Sequence, residues 1–142
     1  MGVEVYQALK DYLRQEYGPS AINVGLEGGF APPLKNVEEP LKILTKVLKD
    51  LGYSEEVSLG IDAAANEFFV KGKYLVNGKK FSKSQLINYY EDLVNDYHLV
   101  SIEDPLIEDD FQGFAELTDR LSIKVIGDDL TVTNPDRVQQ AI

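Results

Sequence analysis

The sequence predicts an α/β fold: about four parallel strands with flanking helices, arranged as a partial (β/α) barrel in one domain over residues 1–142. Two observations carry this. Short β-prone runs alternate with amphipathic helical stretches along the chain. Three of those runs also end in a carboxylate, at Asp62, Glu103 and Asp128. In a (β/α) barrel such residues converge on one mouth.

The elements follow in order. Residues 3–17 read as an amphipathic helix, with Val3, Tyr6, Leu9, Leu13 and Tyr17 at steps of three or four, stopped by Gly18-Pro19. Residues 22–24 read as a short strand, and residues 25–33 as a Gly- and Pro-rich loop. A second helix carries the stripe Val37, Leu41, Leu44, Leu48 and Leu51, with Gly52 placed as its C-cap. Residues 57–61 are a strand ending in Asp62. Residues 68–81 hold β-prone pieces around Lys71-Gly72-Lys73, with a further turn at Asn77-Gly78. Ser82 and Gln85 form a capping box for a third helix over residues 82–97. Residues 99–102 are a strand ending in Glu103. Phe114, Leu117 and Leu121 mark a fourth helix, and Glu108-Asp109-Asp110 charges and caps its start. Residues 123–126 are a strand running into Gly127-Asp128-Asp129. Asn134 caps a last helix with Pro135 at its first position. Both terminal helices read as interrupted.

Composition narrows the function. Asp plus Glu is 24 against 14 Lys plus Arg, a formal net charge of −10. That argues against nucleic acid or an anionic membrane as main partner, since both want a basic face. With no cysteine, a disulfide framework and a thiolate metal site are excluded. No apolar run reaches the roughly 20 residues of a membrane span. No signal pattern opens the chain, and it reads as cytoplasmic.

Three carboxylates at one barrel mouth repel one another unless a cation lies among them. Their hard oxygen donors suit Mg²⁺. From the residues alone, strand-end acids serve equally as turn formers or helix caps. In Gly25-Leu26-Glu27-Gly28-Gly29-Phe30-Ala31-Pro32, two glycines follow an acid and let the backbone bend. Glu27 there is either a general acid or base, or a solvated turn residue. His98, the one histidine, reads as a surface or packing residue.

Longer stretches carry a resemblance. Gly60-Ile61-Asp62-Ala63-Ala64-Ala65-Asn66-Glu67-Phe68 resembles the enolase family's Asp-x-Ala-Ala-Ser-Glu-Phe segment. Ser101-Ile102-Glu103-Asp104-Pro105 is similar to its Ser-Ile-Glu-Asp-Pro. Gly127-Asp128-Asp129-Leu130-Thr131-Val132-Thr133-Asn134-Pro135 resembles its Gly-Asp-Asp-Leu-Thr-Val-Thr-Asn-Pro. Residues 23–32 resemble its Asn-Val-Gly-Asp-Glu-Gly-Gly-Phe-Ala-Pro. The resemblance covers essentially the whole chain. It implies the first part of a TIM-like C-terminal barrel, and Mg²⁺ as cofactor with Asp62, Glu103 and Asp128 as its ligands. It also implies dehydration of 2-phosphoglycerate to phosphoenolpyruvate in glycolysis, with Glu27 as the acid assisting departure of hydroxide. The complete enzyme would be a homodimer.

Two departures stand out. Leu26 replaces the family's usual Asp beside Glu27. The family's base lysine, a second lysine and a substrate-contacting histidine belong to later strands, so these 142 residues are expected to be an inactive piece of the enzyme. Two alternatives stay open: an enzyme of the wider superfamily with another acid substrate, and a non-catalytic module that keeps the barrel segment. Superfamily members of the first kind often carry Lys-x-Lys on an early barrel strand, and no candidate strand here has one.

Overall fold

A computed structural model describes residues 1–142. The chain divides into two compact units, Met1–Val57 and Ser58–Ile142.

The first unit is built on two helices, α1 (Gly2–Tyr17) and α2 (Glu38–Leu51). Leu13, Ala21, Ile43 and Val47 form its buried core, with Leu9, Tyr12, Phe30 and Leu34 packed around it. The apolar stripe of α1 buries only Leu13 fully, and Val3 at its start is 76% exposed. In α2, Ile43 and Val47 join Leu41 and Leu48 as buried residues. The face is broader than one heptad seam, as a helix on a globular core needs. Gly52 takes the left-handed conformation at φ 76°, and the Tyr53 N–H closes back on Leu48 O at 2.8 Å.

One expected strand is absent. Ile22 ends a 3₁₀ turn, Pro19–Ile22, and Val24 makes only an isolated antiparallel bridge to Phe30. The turn residues on either side leave too little extended chain to pair with a neighbouring strand. The parallel sheet therefore has three strands, not four.

That sheet lies in the second unit, in the order β1 (Gly60–Asp62), β5 (Ser101–Glu103), β6 (Lys124–Ile126). Both neighbouring pairs are parallel, and each crossover carries a helix: α3 (Lys83–Tyr97) before β5, α4 (Phe111–Arg120) before β6. Ile102, at the centre of β5, is fully buried together with Leu86, Ile87, Leu106 and Leu117. Each such side chain contributes about 1.5–3 kcal/mol by leaving water.

Between β1 and α3 runs a separate antiparallel meander, β2 (Phe69–Val70), β3 (Lys73–Val76) and β4 (Lys79–Phe81). Its turns, Lys71-Gly72 and Asn77-Gly78, have positive φ at both residues. That conformation matches strand twist across a tight hairpin. The Ser82–Gln85 capping box is complete. Asp110 caps α4 through the Gly113 N–H. Asn134 caps α6 (Pro135–Ala141) through the Asp136 and Arg137 N–H groups.

The Tyr90 hydroxyl on α3 donates to Pro105 O at 2.9 Å in the interior. Burial pushes this phenol well above its ordinary value of 10.0, and the nearby Tyr74 and Tyr89 add to the shift. The native state thus holds its proton where the unfolded chain has lost it. Stability is full below the unfolded value and falls as pH rises beyond about 10. Tyr90→Phe is expected to lose about 1–2 kcal/mol at neutral pH through the orphaned carbonyl. It should also flatten the alkaline limb of a denaturant-midpoint-against-pH profile. An unchanged limb would contradict this account.

Candidate metal centre

Strand register builds the centre. Asp62 on β1 pairs directly with Glu103 on β5, so both side chains leave the same sheet face at the same level. The third strand brings Ile126 to that level, opposite Glu103. Asp128 therefore lies two residues beyond its strand, at the first position of the one-turn helix α5 (Asp128–Thr131). Gly127 permits this tight exit: a Cβ there would come within 2.7 Å of the Leu130 side chain.

Carboxylate oxygens of Asp62, Glu103 and Asp104 lie within 4.8 Å of one another. Asp62 is exposed, Glu103 half-buried and Asp104 buried. Asp128 is outside that trio, yet its charge acts on Glu103. The Glu103 carboxyl is held above the ordinary carboxylate range, first by burial and then by the charges of Asp62, Asp104, Asp128 and Asp129. Asp104 is held up by burial too, while the N–H of Asp129 pulls the other way. Mutual repulsion at this spacing is on the order of 1–4 kcal/mol per pair, depending on how far water is excluded.

Around the carboxylates the chain is tied down. The Asp62 side chain accepts from the Ala64 N–H at 3.1 Å. Asn66 donates to Glu108 at 2.9 Å and to Asp129 at 3.1 Å, and accepts from the Glu108 N–H at 3.1 Å. Asp104 Oδ2 accepts from the Asp129 N–H at 3.0 Å, while its Oδ1 is buried without a partner. Donors that are all carboxylate oxygen, with one buried oxygen unpaired, fit a hard divalent cation such as Mg²⁺. His98 stands apart, exposed at the C-cap of α3 with φ 52°.

Sequence reasoning passed over Asp104, Asn66 and Asp129. Asp104 sits beside Glu103 and before Pro105, but adjacency says nothing of burial or of bonding to α5. Glu27 belongs to the first unit. It is exposed in a turn closed by Gly25 N–H to Gly29 O at 2.9 Å and Gly28 N–H to Gly25 O at 3.0 Å. The Tyr6 hydroxyl donates to Gly28 O at 2.8 Å, and the Tyr6 ring stacks on Phe30 with centroids 4.4 Å apart. Leu26, beside Glu27, is fully exposed.

A family model described as "Enolase, C-terminal TIM barrel domain" matches residues 1–142. The chain belongs to the enolase family. It is 51% identical over 142 residues to the enolase of Methanocaldococcus jannaschii, covering 100% of this chain and 34% of that protein. It is 49% identical over 147 residues to the enolase of Methanopyrus kandleri, covering 99% and 34%. The enolase of Thermococcus kodakarensis is 48% identical over 145 residues, covering 98% and 34%. The chain thus spans about a third of the length of these enolases, all of it within the barrel domain. Three parallel strands with helical crossovers are that domain's architecture in part.

Proposed function

We propose that this chain is the metal-holding part of an enzyme that dehydrates 2-phospho-D-glycerate to phosphoenolpyruvate with Mg²⁺. Asp62, Glu103 and Asp128 hold the ion. The observation that carries this is the register of Asp62 on Glu103 at the ends of adjacent parallel strands, with the Asp128 charge acting on the same carboxyl. When bound, the ion supplies positive charge against the negative charge that develops on the substrate carboxyl as the α-proton leaves. Glu27 gives a proton from its carboxyl to the departing hydroxyl, which leaves as water. The base that takes the α-proton is a lysine of later strands, so the chain by itself is inactive. This reading makes the complete enzyme a cytoplasmic homodimer, with no nucleic acid partner. No helix is long and apolar enough to cross a membrane.

A second reading, a non-catalytic module, draws on Leu26, whose apolar side chain is fully exposed where the family usually has an acid. Calorimetry separates the two. Mg²⁺ titrated into the chain is expected to give weak, saturable heat, weak because substrate oxygens are lacking from the coordination shell. Absence of saturable heat overturns the metal centre and leaves the module.

A further inference from the structure

We propose that Asp104 is a positioning residue that fixes the segment carrying Asp128 and thereby places the third carboxylate of the metal centre. The inference rests on the metal reading above.

Asp104 joins all three strand ends. Its N–H donates to Ile126 O at 3.0 Å, at the end of β6, and its carbonyl accepts from the Ala65 N–H at 2.9 Å, just beyond β1. Its own place is directly after Glu103 on β5. The side chain adds a fourth link, Oδ2 to the Asp129 N–H at 3.0 Å, one residue from Asp128. Asn66 steadies the same residue from its side chain, at 3.1 Å from Asp129 Oδ2.

The backbone shows what this arrangement demands. Asp104 has φ 39°, a left-handed conformation that Asp tolerates better than most residues. It is 4% exposed, and Oδ1 finds no hydrogen-bond partner. A buried carboxylate with one oxygen unpaired opposes folding, so turn formation alone does not account for it. The link to α5 does. The Asp104 side chain ties the Asp128 segment directly to the end of β5, and a metal ligand beyond its strand end needs such support to keep its place.

The test uses four proteins: the unaltered chain, Asp104→Gly, Asp104→Asn and Leu93→Ala. Glycine removes the carboxylate without penalising the left-handed φ. Asparagine keeps an acceptor and loses the charge. Leu93, buried on α3, reports plain destabilisation. Two quantities are read. One is hydrogen-exchange protection of the Asp129 N–H relative to the Leu121 N–H, which bonds Leu117 O at 2.8 Å. The other is Mn²⁺ affinity from the free-ion paramagnetic resonance signal. Asp104→Gly is expected to lose the relative protection at Asp129 and to weaken Mn²⁺ binding by about 10-fold or more. Asp104→Asn should keep the protection and recover most of the affinity. Leu93→Ala should leave both unchanged while lowering the melting temperature. Retained protection at Asp129 in Asp104→Gly overturns the proposal. So does unchanged Mn²⁺ affinity, or an equal loss of affinity in Leu93→Ala. If the unaltered chain takes up no Mn²⁺, the metal reading falls, and the exchange data still decide whether Asp104 holds the segment.

Discussion

Purified chain, given excess Mg²⁺ and 2-phosphoglycerate, is expected to form no phosphoenolpyruvate above the uncatalysed rate, followed by ultraviolet absorbance. The reaction must take a proton from carbon and expel hydroxide from the neighbouring carbon. On the proposed function Glu27 serves the second step, and the lysine that the family resemblance implies for the first belongs to later strands. A positioned acid or base contributes roughly 10²–10⁴-fold in rate, and metal charge does not substitute for a base. The open edges of the sheet, at β1 and β6, are where further barrel strands would pair. A complementary fragment carrying those strands is therefore expected to raise turnover on mixing. Turnover like that of an intact enolase by the chain alone, abolished by Glu27→Gln, would show that the base lies within these 142 residues.

Asp62→Asn combined with Glu103→Gln is expected to weaken Mg²⁺ binding by about 10²-fold or more, read as the loss of saturable calorimetric heat. Amide oxygens keep the shape of the site while two negative charges disappear. The fold should survive. The Glu103 carboxyl is held above its ordinary range, so the native state binds more protons there than the unfolded chain. Ionising it as pH rises therefore costs stability. A neutral side chain removes that cost, and the metal-free variant should melt no lower than the unaltered chain at neutral pH. Lost heat with an unchanged melting temperature is thus a loss of ligands rather than of fold. Equal Mg²⁺ binding by the variant would refute Asp62 and Glu103 as ligands.

Much of this was legible in local pattern. The capping box at Ser82, the Asn134 cap and the two positive-φ turns of the meander depend on residues adjacent in sequence, so residue type alone specifies them. The strand ends at Asp62 and Glu103 were legible for the same reason, since a β-prone run stops where charge begins. Residues 22–24 misled because Ile22 and Val24 have strand propensity, which measures fit to a pleated surface and needs a partner. Between Pro19 and Gly25 the chain turns too soon to offer one.

By itself, the sequence determined the α/β class, the family, the caps of α3 and α6, and Asp62 and Glu103 as strand-end carboxylates. Each of these follows from local periodicity or from an ordered run of motif residues. Only the tertiary structure decided how the three strand ends meet. Register sets Asp62 level with Glu103 and leaves Asp128 two residues further on. Burial singles out Asp104 among neighbouring acids, with one oxygen bound to the Asp129 N–H and the other unpaired. Those facts depend on residues about 25–40 positions apart in the chain. They arise when backbone groups leaving water must find partners inside the fold, a requirement that acts between strands and leaves no trace in the spacing along any one of them.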